Sequence, residues 1–259
     1  MDQVERQEAM ARWMWDAHRR REPYRNLPGE LRPQSSVEAY AAQEAYYRLA
    51  EPERGAVAGA KIATTTKVMQ QLMGITHPCS GAIFAHTIHP SPARLRTADF
   101  VNLRIECEIA LKLYADIAAR NAPWSRDAVA PAVECAMPAF ELIEDRNANY
   151  SATEAYSLIV DNCWNGGVVI GAPLQKPVAE LIGISGKLTI GGEIVHEGKS
   201  EDPYATLAWI ANHFAERGRD LKAGMIVITG SIVPTVTLSK GERAVFAVEG
   251  LGEAVVDAV

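Results

Sequence analysis

Several features that would assign a chain to a specialised class are missing from these 259 residues. No apolar run approaches the roughly 20 residues that cross a bilayer, so we predict no membrane segment. No basic stripe offsets the formal net charge of −6, which argues against a nucleic-acid surface. The first residues, MDQVERQEAMARW, are acidic and amphipathic, unlike a signal or transit peptide, and we therefore expect a cytoplasmic protein.

Cysteine is scarce, and no low-complexity linker or repeat divides the chain. The cysteines lie far apart without a CxxC pair, so we predict that Cys79, Cys107, Cys135 and Cys163 are buried free thiols. The lack of a linker favours one compact domain that carries a helical arm at its N-terminus.

That arm is indicated by two helix-like segments. Residues from about Val4 to Arg20 place apolar side chains on one face of a helix. The segment SSVEAYAAQEAYYRLAEPERG then begins with a capping box from Ser35 to Glu38. We predict a helical arm over residues 1–55 and a strand-rich domain over 56–259.

The remaining segments do not alternate regularly between strand and helix. AVAGAKI reads as a strand that ends at Lys61, and the Gly191-Gly192 pair predicts a hairpin turn. DPYATLAWIANHFAERG reads as a helix that Asp202 caps and Gly218 ends. Strands dominate, so we predict an α+β fold built on a mixed, curled sheet.

One strand-like segment, RIECEIALKL, carries two carboxylates one residue apart. In a strand, Glu106 and Glu108 share a face about 7 Å apart, whereas in a helix they would point in nearly opposite directions. Two neighbouring carboxylates repel each other unless a positive group lies between them. The spacing is a weak signal, because a solvated strand face would carry the same pattern.

A third acid is needed if this pair holds a metal ion, because hard cations such as Mg²⁺ prefer several oxygen ligands. The segment PAFELIEDR offers three candidates. Glu141 follows a proline and two apolar residues, so we expect it inside the fold. Glu144 and Asp145 run into DRNANY, which reads as a loop.

These segments carry a resemblance to a known family. RIECEIALKL, PAFELIEDR, VDNCWNGGVVIGAP and the long C-terminal segment from LAWIANHFAERG to GLGEAVV occur in the order typical of one branch of the fumarylacetoacetate hydrolase superfamily. The chain resembles the 2-oxo-4-pentenoate hydratase and 4-oxalocrotonate decarboxylase branch over nearly its whole length. The resemblance implies a mixed, partly open β-roll with flanking helices, in which residues 56–259 form the metal-binding catalytic domain.

The resemblance also implies a site. It maps the ligands of Mg²⁺ or Mn²⁺ onto Glu106, Glu108 and Glu141. It maps a lysine onto Lys61, for which we expect a lowered pKa that suits proton transfer. Asp161 is a further catalytic candidate. The implied substrate-binding residues are Asn162, Thr229, Gly230 and Ser231.

One segment departs from the family pattern. Where these hydratases carry an acidic residue after the short helix, this chain reads THPCSG and has Cys79. His77 and His86 are neighbours in sequence that titrate near neutrality, so they are candidates to replace the missing acid. A structural or surface role remains the alternative for each histidine.

The resemblance implies a metal-dependent hydratase that converts 2-hydroxy-2,4-dienoates into 4-hydroxy-2-oxo acids through a stabilised enolate. The alternatives are a decarboxylase of 4-oxalocrotonate-type 2-oxo acids, a C–C hydrolase of an acylpyruvate-like dione, and a non-catalytic partner subunit of a homologous enzyme. We also expect a homo-oligomer, because the resemblance implies one, since members of this branch commonly assemble into rings, and because an apolar arm that carries tryptophan calls for a partner surface. A complex with a homologous decarboxylase or hydratase is a further expectation.

Overall fold

The computed structural model describes residues 1–174 and 181–259. The helices are α1 (Gln3–Arg19), α2 (Ser36–Arg54), α3 (Lys67–Leu72), α4 (Arg126–Val129), α5 (Ala155–Val160) and α6 (Pro203–Ala215). The first strands are β1 (Val57–Ala63), β2 (Cys79–Phe84), β3 (Ile88–Pro90), β4 (Ala93–Leu95), β5 (Leu103–Leu113), β6 (Val133–Glu144) and β7 (Asn165–Ile170). The later strands are β8 (Ser185–Ile190), β9 (Glu193–Lys199), β10 (Ile226–Ser231), β11 (Val236–Thr237), β12 (Arg243–Val248) and β13 (Gly252–Ala258).

Most strands belong to one mixed sheet in the order β2-β1-β10-β5-β6-β7-β3, with β11 also paired to β5. The pairs β1–β10 and β3–β7 are parallel, whereas β5 pairs with β6 and β10 in antiparallel fashion. Within the described residues no ladder joins β2 to β3, so this sheet is open. The second sheet has the order β4-β13-β12-β8-β9. These open mixed sheets confirm the predicted fold class.

The main core lies between one face of the large sheet, the second sheet and α6. The apolar residues of β5, including Ile105, Cys107 and Ile109, point into this core. Because side chains alternate along a strand, Glu106 and Glu108 lie on the opposite face. The predicted alternation of RIECEIALKL is therefore confirmed, and it places both acids together.

The N-terminal helices pack onto the body of the same chain. Met10, Met14 and Trp15 of α1 are buried in a second apolar cluster that includes Phe84 of β2 and Ile159 of α5. The apolar face that we expected to need a partner surface is thus covered within the chain, so that reason for predicting an oligomer is wrong. The division between residues 55 and 56, which falls between α2 and β1, stays a prediction.

The predicted helix ends are mostly confirmed. Ser35 caps α2 through the Glu38 amide, although the Glu38 carboxylate accepts from Gln34 instead of completing the capping box. Asp202 caps α6, which ends at Ala215, three residues before the expected Gly218.

Smaller predictions also hold. Gly191 and Gly192 form the β8–β9 turn, with positive φ angles. All four cysteines are buried free thiols. In the described part of the chain, no helix combines the length and apolarity that spanning a membrane requires.

A buried cluster of charged groups joins α1 to the sheet region. His18 Nε2 lies 2.5 Å from Asp161 Oδ1, and the Arg146 guanidinium donates to the other carboxylate oxygen. Burial lowers the pKa of His18 to about 4, although Asp161 acts in the opposite direction. His18 is therefore neutral at pH 7 in the folded protein.

We expect His18 by itself to lower the free energy of unfolding as the pH falls from 7 to 5. The unfolded chain binds a proton at His18 near pH 6.5, whereas the folded chain does so only near pH 4. This difference destabilises the folded state by about 2 kcal/mol at pH 5. Urea unfolding at both pH values should show that lowering the pH destabilises His18→Gln less than the parent, by about 2 kcal/mol. His213, whose pKa burial lowers to about 3, acts in the same direction as His18, whereas the raised pKa values of Glu108 and Glu141 act in the opposite direction in both proteins. An unchanged pH dependence in His18→Gln would contradict this assignment.

Candidate active site

Three carboxylates meet on one face of the large sheet. Glu106 and Glu108 lie on β5, and Glu141 lies on β6 directly opposite Glu106. One oxygen from each residue can be chosen so that all lie within 4.8 Å of one another. Glu108 and Glu141 are fully buried, while Glu106 is partly exposed. Like charges directly opposite each other in a sheet are destabilising, so this arrangement calls for a compensating positive charge.

Neighbouring elements orient the two carboxylates of β5. The Thr235 hydroxyl donates to Glu106 Oε1 at 2.5 Å. The backbone N–H of Gly230 donates to Glu108 Oε2 at 2.7 Å. The other oxygen of Glu108, Oε1, is buried and has no hydrogen-bond partner among the described residues.

Glu141 follows the same pattern. Its Oε1 accepts from the Asn165 amide at 2.8 Å and also lies 2.8 Å from Lys61 Nζ. Its Oε2 is buried and has no hydrogen-bond partner among the described residues. Two buried carboxylate oxygens without donors would be costly, but they are the ligands that a hard divalent cation prefers. The residues present therefore fit a divalent metal ion.

The electrostatics of the cluster agree with this reading. Burial, followed by the charges of Glu141 and Glu106, raises the pKa of Glu108 well above its ordinary value. Burial also raises the pKa of Glu141 to about 7, although Lys61 opposes the change. A cation bound among these carboxylates would favour their charged forms.

Lys61 is the single lysine among the described residues that contacts this cluster. It lies on β1 opposite Gly81 of β2, is 2% exposed, and its Nζ donates to the carbonyl oxygen of Cys163 at 3.0 Å. Burial favours a lower pKa, but the charge of Glu141 and other nearby negative groups raise the pKa of Lys61 above its ordinary value. Without a metal ion the direction is therefore opposite to the expected lowering, because the sequence did not reveal a carboxylate at ion-pair distance. The lowering beside a bound metal ion stays a prediction.

Cys163 belongs to an unusual turn. Asn162, Cys163 and Trp164 have φ angles of 58°, 53° and 58°, which is the left-handed region. Each such residue costs about 1–2 kcal/mol relative to the right-handed conformation. The Asn162 side chain accepts from the Ala82 amide at 2.7 Å and donates to the Ala82 carbonyl at 2.9 Å. Asn162 is thus fully buried and bonded to β2, and its predicted contact with substrate stays a prediction.

The other predicted catalytic residues are not brought to this cluster. Both carboxylate oxygens of Asp161 are engaged by His18 and Arg146. His77 is exposed and lines a separate cavity of about 760 Å³ between α2 and α6. His86 is exposed beside the Glu53 carbonyl. His77 and His86 are near Cys79 in sequence, but they lie before and after β2, outside the carboxylate cluster.

Cys79 itself lies nearer to the site. It pairs with Ala63 on β1, and residues directly opposite share a face, so Cys79 is on the same face as Lys61. A hydrogen bond with the Cys163 thiol lowers the pKa of Cys79. The position that departs from the family pattern is therefore buried beside the turn that contacts Lys61.

A cavity of about 350 Å³ opens at Glu106. Its lining includes Ile62 and Met69 on one side, and Gly230 and Ser231 on the other. A smaller cavity of about 70 Å³ adjoins it at the start of α6 and includes Thr229. The arrangement offers an apolar wall and several hydroxyl groups to a small molecule beside the carboxylates.

The hydroxyls of the predicted TGS segment already have partners. Thr229 donates to the Ile109 carbonyl at 2.9 Å, and Ser231 donates to the Val233 carbonyl at 2.7 Å. Gly230 contributes its N–H to Glu108 instead of to a ligand. The segment therefore shapes the cavity, and its direct contact with substrate stays a prediction.

Sequence reasoning missed three groups: the Thr235 hydroxyl, the Asn165 amide and the Cys163 carbonyl. Thr235 is 129 positions from Glu106 in the chain, so no local pattern links them. Strand register brings Asn165 of β7 to the site, whereas Thr235 precedes β11 and Cys163 lies in the turn before β7.

Comparisons with known proteins agree with this geometry. A family model described as the fumarylacetoacetate (FAA) hydrolase C-terminal family matches residues 73–258. A 2-oxo-hept-4-ene-1,7-dioate hydratase of Escherichia coli is 30% identical over 237 residues, covering 87% of this chain and 88% of the relative. A 2-keto-4-pentenoate hydratase of Dechloromonas aromatica is 28% identical, covering 83% and 82%.

Among solved structures, the 4-oxalocrotonate decarboxylase of Pseudomonas putida G7, complexed with magnesium and adipate, superposes with a TM-score of 0.89. It is 22% identical to this chain, and the match covers 98% of both chains. At that identity the likeness shows the fold alone.

Proposed function

This chain belongs to the fumarylacetoacetate hydrolase family, and we propose from that premise that it is a metal-dependent lyase of small 2-oxo acids. The reaction that we propose is hydration of a 2-hydroxy-2,4-dienoate to a 4-hydroxy-2-oxo acid. Relatives named as hydratases of such compounds support this choice. The observation that carries it is the convergence of three carboxylates within 4.8 Å beside an open cavity and a buried lysine.

Glu106, Glu108 and Glu141 would hold Mg²⁺ or Mn²⁺ in this proposal. The bound cation would supply Lewis acidity that stabilises the negative charge of an enolate. Thr235 and Gly230 keep two of the carboxylates in position, and the surrounding strands exclude water from Glu108 and Glu141.

Lys61 would move the proton. It is within hydrogen-bond distance of Glu141, whose negative charge stabilises the ammonium form that would donate a proton. The neutral amine left after the transfer would take up a proton from water. The cavity at Glu106 lies where a small 2-oxo acid would be bound, with its tail along Ile62 and Met69.

Product analysis tests the reaction. The metal-loaded protein should convert 2-hydroxypenta-2,4-dienoate into a 4-hydroxy-2-oxo acid without loss of carbon. Release of carbon dioxide from 4-oxalocrotonate, without hydration of the dienoate, would favour the decarboxylase reading instead. A relative named 4-oxalocrotonate decarboxylase, 26% identical over 223 residues, supports decarboxylation as the second candidate reaction.

We also propose that the protein forms a homo-oligomer, as the resemblance implies. Sedimentation velocity at micromolar concentration should give a particle larger than the 28.2 kDa chain. A monomer under those conditions would contradict the proposal. Mixing with a homologous decarboxylase or hydratase tests the proposed heteromeric complex in the same experiment.

A further inference from the structure

We infer that the left-handed turn Asn162–Trp164 is a positioning device for Lys61, and that the side chain of Asn162 holds this device in place. The inference rests on the proposed function, in which Lys61 moves a proton. It goes beyond that function by giving Asn162 a positioning role in place of substrate contact.

The first step concerns the ammonium group. A lysine ammonium has three N–H donors. One points to Glu141 Oε1 at 2.8 Å, and another to the Cys163 carbonyl oxygen at 3.0 Å. The described residues show no third partner for Lys61 Nζ. Two fixed partners determine the direction of the remaining N–H, whereas a single partner would let the group rotate.

The second step concerns the carbonyl of Cys163. Its direction depends on the backbone, because three successive residues take positive φ angles that side chains other than glycine rarely adopt. A conformation of this kind persists only where surrounding contacts fix it, and such sites are often functional.

The third step identifies the contacts that fix the turn. Asn162 bonds both the N–H and the carbonyl of Ala82, as a neighbouring strand would. The turn approaches β2 so closely that a Cβ at Gly81 would lie 2.8 Å from Asn162 Oδ1 and from its backbone oxygen. Gly81 is also the residue opposite Lys61 on β1. The same short segment of β2 therefore faces both the turn and the lysine.

The test compares Asn162→Ala with Asn26→Ala. Asn26 makes the same pair of bonds far from the carboxylates: it donates to the Ala152 carbonyl at 2.7 Å and accepts from the Glu154 amide at 2.9 Å. Asn162→Ala should lower kcat and the rate of deuterium exchange at C3 of a 2-oxo acid by about 10-fold or more. A general acid–base group contributes about 10²–10⁴-fold, and a misdirected lysine should lose part of that contribution. KM and Mn²⁺ affinity should stay unchanged, and Asn26→Ala should leave all four quantities unchanged.

A second readout does not depend on activity. In the metal-free protein, a ¹⁵N–¹H correlation spectrum should show the Lys61 ammonium as a slowly exchanging signal, identified by its loss in Lys61→Ala. The signal should disappear in Asn162→Ala and persist in Asn26→Ala. If Asn162→Ala fails to fold, Cys163→Gly and Cys163→Val replace it. Glycine accepts the left-handed conformation and should keep the signal, whereas β-branched valine opposes it and should lose it.

The outcomes separate the two ideas. If the parent shows the ammonium signal and its loss in Asn162→Ala, but no activity on 2-oxo acids, the positioning role stands and the proposed function fails. If the signal survives in Asn162→Ala, the positioning role is wrong, whatever the activity. Equal losses of kcat in Asn162→Ala and Asn26→Ala would also overturn it, because lost stability would then explain both.

Discussion

The double substitution Glu106→Gln/Glu108→Gln should weaken Mg²⁺ and Mn²⁺ binding by more than about 100-fold. Mutating a residue that only supports a metal ligand lowers metal affinity by up to about 100-fold, and these two residues are proposed as ligands themselves. Two of the three carboxylates lose their charge, and glutamine is a poor replacement for a hard-cation ligand. Each single variant, including Glu141→Gln, should lower metal affinity and turnover together. Isothermal titration calorimetry and steady-state kinetics on the same samples check both quantities.

The matched control is Glu134→Gln. Glu134 lies on β6 like Glu141, but its side chain is exposed and pairs with Lys112. The control should bind metal as the parent does. The double variant should remain folded, because removal of two neighbouring negative charges relieves repulsion in the metal-free protein. If it binds Mn²⁺ like the parent, the metal site is misplaced.

Part of this site could be predicted from the amino-acid sequence alone. A strict two-residue alternation put Glu106 and Glu108 on one face, and the apolar flanks of Glu141 indicated burial. The family resemblance supplied Lys61. The structure brings these residues together, because each inference depends on a short segment or on a motif in fixed order, and their roles stay predictions.

The rest depended on distances between segments that are remote in sequence. Asn165 reaches the carboxylates through strand register, and Thr235 through the connection between β10 and β11, neither of which local pattern specifies. The direction of the Lys61 pKa shift without a metal ion could not be predicted, because it depends on an ion pair at 2.8 Å that outweighs burial. His77 and His86 looked close to Cys79, but His77 precedes β2 and lines the cavity between α2 and α6, and His86 follows β2 beside the Glu53 carbonyl.

Lys61→Ala should suppress both turnover and solvent-deuterium exchange at C3 of a 2-oxo acid by about 10²–10⁴-fold, the usual size of a general acid–base contribution. We propose that Lys61, which contacts the cluster through Glu141, carries the proton, and alanine offers no replacement. The matched control is Lys112→Ala, on β5, whose ion pair with Glu134 is partly exposed and remote from the cavity lining. It should retain both rates. Exchange that survives in Lys61→Ala would show that the lysine does not move the proton.

The histidine variants complete this test, because they separate enolisation from the later addition of water. His77 and His86 contact neither the carboxylates nor Lys61 in the described structure, so exchange at C3 should persist in His77→Ala and in His86→Ala. A loss of net turnover of about 10²-fold with exchange intact, in either variant, would assign the second proton transfer to that histidine. Full turnover in both would leave two candidates to carry the second proton: Cys79, which shares a face with Lys61, and a water molecule at the proposed metal site. Measuring exchange and net turnover in the same samples therefore decides which residue serves each of the two proton transfers.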